Sequence, residues 1–478
     1  MLKKPKQTQK RDSLSTGSPA PGEVHSQISD DPLLAELDLT QISVIPRSQH
    51  CISRKAISSA ALKVLYKLDA EGYQAFLVGG SIRDLLMGNT PKDFDVATNA
   101  TPEQLKQLFG NARIIGRRFK IVHIRFGREV IEATTFRAHH KPTVQFSEQD
   151  EHRQLKHLDS AHSTSGMILR DNVYGNLNED AVRRDFTVNA LYYTIRQFRI
   201  LDFSSGIDDI NHKLIRMIGD PATRYKEDPV RILRAIRFSA KLGFEIEEHT
   251  RKPIDQLAPM LKSIAPARLF DETLKLLSSG YGIKTFQLLQ EFEVGRYLFP
   301  ATFKCLKSSD CPETRLLTLA LRNTDSRLAE GKSVTPAFLF AALLWPVLND
   351  ELKRSYDDNN YNMQEMQIVA NRIISAQILH TAIPKRFSTT IREIWELQQR
   401  LQRRNKRSIL SAFQHPRFRA AYDFLLLREE SGEELDGLGI WWTKFQVGDS
   451  IHQTEMINAL NRTRRPRRNR HKPAGVDR

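Results

Sequence analysis

The sequence has little cysteine, no long apolar run and no fixed-period repeat, and each lack narrows what the chain can be. Cys51, Cys305 and Cys311 are its only cysteines, so one stands outside any intrachain bridge, and no CxxC spacing offers a zinc site. That excludes a disulfide-stapled scaffold and leads to the expectation of a reducing, cytoplasmic compartment. No apolar stretch approaches the ~18 residues of a membrane-spanning helix. The basic start, MLKKPKQTQKRDSLS, lacks the apolar centre of a secretory signal. No HxD pattern of a metal phosphohydrolase stands out in the helical region. His139 and His140 are adjacent, so on a strand they diverge and make a poor metal pair.

What is present is positive charge. The 478 residues carry 72 Lys and Arg against 56 acidic residues, a net charge of +16, with 40% hydrophobic and 27% charged residues overall. The length allows about two to four domains, and the composition is globular. Such a charge suits a polyanionic partner, nucleic acid or an anionic membrane surface. Residues 461–478, NRTRRPRRNRHKPAGVDR, hold seven Arg and one Lys against one Asp, nearly half of the excess. With prolines and no apolar period this tail is expected to be unfolded. Arginine forks suit phosphate, which favours nucleic acid. LQQRLQRRNKRS at 397–408 is a second basic patch, expected on an exposed helix face.

Residues 1–50 are polar and rich in Ser, Pro and Gln and read as an unfolded arm. AISSAALKVLYKLDAE at 56–71 has helical spacing and stops at Gly72. QAFLVGG reads as a buried strand, SIRDLLMG as a short helix, and DFDVAT as a second strand. TPEQLKQLFG is a helix with Thr101 as N-cap and Pro102 first inside it. KIVHIRF and EVIEATTF alternate and read as neighbouring strands. The stretch 140–170 carries no period and is expected to be a mobile loop. From about 180 helical patterns dominate, with candidates at 180–194, 229–242, 266–278, 335–348, 364–379 and 407–430. Trp441 and Trp442 read as helix anchors rather than as a stacking platform for bases.

Asp93 and Asp95 stand two apart in PKDFDVAT, which on a strand puts both carboxylates on one face. Two such charges repel by about 4 kcal/mol at a separation of roughly 4 Å and an effective dielectric of about 20. A bound divalent cation relieves that repulsion, and two Mg²⁺ ions at ~3.5–4 Å suit nucleotidyl transfer. Glu132, sharing a strand face with Val130 and Thr134, is the candidate third carboxylate. A DxD pair alone is a common surface pattern. Here GGSIRDLLMG at 79–88 ends five residues before it. Gly79 and Gly80 let backbone N–H groups approach a triphosphate, Ser81 adds a hydroxyl, and Arg83 offers a fork to phosphate.

Two further blocks stand downstream. DAVRRDFTVNALYY at 180–193 places Asp185 and Asn189 four apart, on one face if helical. KEDPVRILRAIRF at 226–238 offers Asp228 as N-cap, Pro229 at the first helical position, and Arg231 with Arg234 on one face near Glu227. Together with the glycine turn and the DxD pair, these blocks resemble the tRNA nucleotidyltransferase and poly(A) polymerase family, in its bacterial class within the class II nucleotidyltransferase superfamily. IIGRRFKIVHIRF at 114–126 resembles the version found in its poly(A)-adding branch. The resemblance covers about 60–260.

By that resemblance, Asp93, Asp95 and Asp185 are catalytic, with Asp93, Asp95 and Glu132 holding two Mg²⁺ or Mn²⁺ ions. Asp185 and Asn189 would face the ribose and Arg184 the phosphates. Glu227, Asp228 and Arg231, with Arg234 beside them, would present a base-selecting edge. The implied fold is α+β: a small mixed-sheet nucleotidyltransferase head and an elongated all-α body. The expected divisions are an arm at 1–50, head at 51–203, helical neck at 204–265, RNA-binding body at 266–455 and Arg-rich tail at 456–478. The implied activity is template-independent polyadenylation of RNA 3′ ends from ATP. RNA-decay machinery is a partner by family analogy alone. The alternatives are a CCA-adding tRNA nucleotidyltransferase and a non-catalytic RNA-binding protein.

Overall fold

The computed structural model describes residues 42–116, 120–138, 145–146, 160–163, 168–171, 173–356 and 361–463. They fall into two units, the first running through His212 with Arg216–Gly219, the second taking Lys213–Ile215 and everything from Asp220.

In the first unit the chain runs through β1 (Ser43–Ile45), α1 (Ser59–Ala70), β2 (Ala75–Val78), α2 (Gly80–Leu86), β3 (Asp95–Thr98) and α3 (Pro102–Leu108). It continues through β4 (Ala112–Ile115), β5 (Ile121–Phe126), β6 (Glu129–Thr135), α4 (Leu177–Val182), β7 (Leu191–Tyr193), β8 (Ile200–Asp202) and α5 (Gly206–His212). The strands make one mixed sheet in the order β1-β8-β7-β2-β3-β6-β5-β4. Its neighbours are antiparallel except β3 on β6. β2 is buried along its length because alternate residues feed two cores. Ala75 and Leu77 pack with Val64, Leu65 and Leu68 of α1, while Phe76 and Val78 pack with Ala97, Phe136, Leu177 and Tyr192 on the other face. A strand covered on both faces reads as a continuous apolar run, as AFLV does. Thr101 caps α3 reciprocally with Gln104, as TPEQ implies.

The second unit is helical, beginning with α6 (Pro221–Glu227) and α7 (Val230–Leu242). Its larger helices include Pro312–Ala329, Pro336–Ser355, Met363–Ile378, Lys385–Gln402 and Phe418–Glu430. Trp395 is fully buried, and its indole N–H donates to the Ala341 carbonyl at 3.2 Å. Trp442 is equally buried and donates to the Leu401 carbonyl at 3.1 Å, and Trp441 stacks on Phe445 with ring centroids 5.0 Å apart. The tryptophan pair is a helix anchor.

Several expectations are corrected. The helix expected over 180–194 is instead α4, a 3₁₀ turn at Thr187–Asn189 and strand β7. Backbone pairing overrides the helical spacing: Thr187 N–H donates to the Arg216 carbonyl and Ile218 N–H to that of Asp185. The helix expected over 407–430 is two, Lys406–Phe413 and Phe418–Glu430, because Pro416 excludes its predecessor from helical geometry. Residues 43–49 lie within the expected arm, yet β1 pairs with β8 and a 3₁₀ turn follows. Helix Ser450–Thr463 reaches into the expected tail. Within the expected loop at 140–170, the described residues Gln145–Phe146, Ser160–Ser163 and Ile168–Asp171 pair as a small sheet, through backbone groups that no side-chain pattern announces. Most of the arm, Arg117, Arg118 and Phe119 of GRRF, the histidine pair, and the tail beyond 463 lie outside the described residues.

Trp395→Ala removes a fully buried indole and leaves the Ala341 carbonyl without it. It should destabilise the protein by about 3–5 kcal/mol, read as a lowered denaturant midpoint; a loss within about 1 kcal/mol would mean the site collapses around the cavity.

Candidate active site

The site grows from strand register. Tyr192 of β7 pairs with Val78 of β2, Val78 with Asp95 of β3, Asp95 with Glu132 of β6, and Glu132 with His123 of β5. Paired residues share a face, so these side chains form one row across the sheet. The row changes from apolar to ionisable at Asp95. His123 Nε2 lies 3.2 Å from Glu132 Oε1, and both are partly exposed.

Asp93 does not sit on the strand. β3 begins at Asp95, and Asp93 is an exposed residue just before it, so the shared strand face expected of the pair is corrected. The two remain electrostatically coupled. The Asp95 carboxyl is pushed up to about 6, first by burial, then by the charge of Glu132, with Arg184 pulling it down and Asp93 adding to the rise. A carboxylate so crowded by its own kind fits a hard divalent cation. Among the described residues no group of three or more His, Cys, Asp or Glu is arranged to hold a metal ion.

The glycine turn lies at the end of β2. Gly79 has φ +70° and ψ −133°, a conformation essentially reserved for glycine. A Cβ there would lie 3.7 Å from Arg184 Nη1 and 3.8 Å from the Asn189 carbonyl. Gly80 opens α2. The Ser81 hydroxyl is buried and donates to the Val78 carbonyl at 3.1 Å. Arg83 is buried: Nη1 donates to Asn189 Oδ1 at 2.6 Å, while Nε and Nη2 donate to Asp84 Oδ1 at 2.9 and 2.6 Å. Arg83 therefore orients Asn189, where the sequence suggested an open fork for phosphate.

Asp185 and Asn189 meet without a shared helix. The 3₁₀ turn folds Asn189 back, and its Nδ2 donates to Asp185 Oδ1 at 3.3 Å. Gly206 lets α5 approach that turn; a Cβ there would be 2.3 Å from the Thr187 carbonyl oxygen. Arg184 donates from Nε to Tyr192 Oη at 2.6 Å and from Nη2 to Asp180 Oδ2 at 3.0 Å. Burial opposes ionisation of Asp180, but the Arg184 charge and hydrogen bonds from Tyr192 and Arg184 outweigh it and hold the carboxyl below its ordinary value. Burial keeps the Tyr192 phenol protonated well above its usual range. Neither Asp180, Tyr192 nor His123 was picked out from sequence. Asp180 stands four residues before Arg184, and His123 lies on an alternating strand; both signals were present but weak.

In the helical unit, Glu227 Oε2 accepts from Arg224 Nη1 and Arg231 Nη1, each at 2.8 Å. Asp228 lies between α6 and α7. Pro229, not Asp228, is the residue preceding α7; the Val230 N–H reaches Asp228 Oδ1 only at 3.4 Å, while Oδ2 accepts from Arg268 Nη2 at 2.6 Å. Arg234 lies one turn from Arg231 on the same partly exposed face, its guanidinium over the Phe238 ring at 5.3 Å.

A glycine turn beside an acidic row on a mixed sheet is the head of a nucleotidyltransferase. A family model described as the poly A polymerase head domain matches residues 75–216, one described as the probable RNA and SrmB-binding site of polymerase A matches 243–306, and one described as the polymerase A arginine-rich C-terminus matches 358–474. Poly(A) polymerase I of Escherichia coli is 46% identical over 437 residues, 91% of this chain and 92% of that protein. A CCA-adding enzyme of Leuconostoc mesenteroides is 36% identical over 238 residues, only 50% of this chain. A solved CCA-adding enzyme structure in its apo form shares the fold, with a TM-score of 0.55 at 20% identity over 85% of this chain and 91% of that one. The chain belongs to the bacterial poly(A) polymerase family.

Asp95 holds its proton more tightly folded than unfolded, where a value near 3.9 applies. The fold therefore loses stability as pH rises through about 4 to 6, and the cost is fully present above that window. Without metal at pH 7.5, Asp95→Asn should be more stable than the parent by about 1–3 kcal/mol. The gap should close toward pH 4, and added Mg²⁺ should narrow it by stabilising the parent. Equal unfolding free energies in chelator at pH 7.5 would show that the fold itself relieves the repulsion.

Proposed function

We propose that this protein transfers AMP from ATP to the 3′-hydroxyl of RNA without a template, releasing pyrophosphate. The observation that carries the reading is the Asp95–Glu132 register pair, in which burial first and the Glu132 charge second push the Asp95 carboxyl up to about 6, on the face that also bears Tyr192. Asp93 and Asp95, with Glu132, would hold two Mg²⁺ or Mn²⁺ ions, which when bound supply charge that acidifies the attacking hydroxyl and neutralises the departing pyrophosphate.

The chain's own residues position the reactants. Gly79 brings backbone close to the triphosphate, with Gly80 and Ser81 shaping the turn. Arg184, permanently charged, stands at that turn and offsets the negative phosphates. Asp185 and Asn189, linked at 3.3 Å and steadied by Arg83, orient the ribose. The new bond joins the 3′-oxygen to the α-phosphorus as the bond to the bridging oxygen breaks in line, with the hydroxyl proton lost and no covalent enzyme intermediate. In the helical unit, Glu227, Asp228, Arg231 and Arg234 provide a paired donor and acceptor edge that selects the base in place of a template.

The sequence match to a CCA-adding enzyme covers half the chain, whereas the poly(A) polymerase match covers 91% of it, and that supports adenylate addition. A non-catalytic RNA-binding role is disfavoured, because clustered carboxylates repel RNA unless they hold cations. The match of residues 243–306 to a probable RNA- and SrmB-binding site supports contact with RNA. No described helix is long and apolar enough to cross a membrane.

Single labelled nucleoside triphosphates should be offered with Mg²⁺ to an unstructured RNA and to a tRNA lacking its 3′ CCA. Long tails from ATP alone on the unstructured RNA are expected; CMP then AMP, stopping at three residues on the tRNA only, would overturn the reading. Asp95→Ala should lower transfer by at least about 10³-fold while RNA binding, measured by gel shift, stays within about threefold. Parallel loss of binding and transfer would remove Asp95 from catalysis.

A further inference from the structure

Asp180 and Tyr192 have no role in the steps above, yet they form a closed hydrogen-bonded ring with Arg184. Arg184 Nε donates to Tyr192 Oη at 2.6 Å, Tyr192 Oη donates to Asp180 Oδ2 at 2.7 Å, and Arg184 Nη2 donates to the same oxygen at 3.0 Å. The Arg184 guanidinium also sits over the Tyr192 ring, 4.8 Å from its centre. Each holder is itself fixed. Tyr192 is fully buried, its strand paired to Val78, its ring meeting Phe76 and Phe203 edge-on at 6.0 and 5.3 Å. Asp180 is buried within α4 and takes the Arg137 backbone N–H on its other oxygen at 3.2 Å.

Arg184 Nη1 lies beside the glycine turn, 3.7 Å from where a Gly79 Cβ would lie. The same charge is felt at Asp95. Arg184 is thus close to the turn and within electrostatic reach of Asp95. An arginine on the surface loses side-chain freedom when it grips a phosphate; this one has lost it already. We infer that Asp180 and Tyr192 are positioning residues for triphosphate recognition, acting through Arg184. The inference rests on the nucleotidyl-transfer reading and adds to it which residues set the strength of phosphate binding.

The test separates phosphate recognition from ordinary packing. Tyr192→Phe keeps the ring and loses the hydroxyl; Asp180→Asn keeps the shape and loses the charge. In the full-length protein with Mg²⁺, each should weaken ATP binding by roughly 5- to 50-fold, while adenosine, measured by competition, stays within about twofold. In an Arg184→Lys background, Tyr192→Phe should add less than about twofold, since its partner is already gone. Equal loss for ATP and adenosine, or no loss for either, would overturn the inference. If Tyr192→Phe does not fold, Asp180→Asn decides alone. A parent protein that binds no ATP would overturn the nucleotidyl-transfer reading itself, a result distinct from any pattern among the variants.

Discussion

The head depends on the parallel pairing of β3 with β6, which sets Asp95 opposite Glu132. That register could not slip by one residue without moving Val96 and Ala133 out of the core and the carboxylates into it. Apolar burial on one face therefore enforces like-charge crowding on the other. The penalty is local, borne by Asp95, and the surroundings answer it with Arg184 on one side and His123 against Glu132 on the other. A protein that tolerates this arrangement is poised for cations and phosphates.

The positive groups of the head are held in advance of any ligand. Arg83 is clamped by Asp84 and Asn189, and Arg184 by Asp180 and Tyr192. Buried ion pairs of this kind gain little net stability, because desolvation offsets attraction. Their use is orientation, fixing the glycine turn, the Asp185–Asn189 pair and Arg184 relative to one sheet face. The helical unit repeats the device with Glu227 between Arg224 and Arg231 and Asp228 against Arg268. Its aromatic anchors, Trp395 and Trp442, are buried with their indole N–H groups satisfied, so they serve the fold.

Much of this was legible in the chain. β5 and β6 alternate as half-buried strands do, TPEQ carries its own capping box, and the glycine pair before DxD marks the turn. The motif at 180–193 was legible as a cluster of polar residues and misleading as structure. Its helical spacing of Asp185 and Asn189 lost to backbone pairing with residues 216–218, yet a 3₁₀ turn brought the two side chains together all the same. Arg83 looked like a phosphate ligand because sequence shows its type and nearness to the turn, while its burial against Asp84 follows only from packing.

The sequence by itself determined the elements whose signals are local: helix caps, strand alternation, the glycine that alone tolerates a positive φ, and the identity of the carboxylates. Tertiary structure decided which charges meet. Asp95 faces Glu132, thirty-seven residues away, and Arg184 joins Tyr192 through a strand that pairs with β2. Those meetings depend on sheet order and register, which are fixed by burial summed over the whole core, and no local pattern encodes that sum.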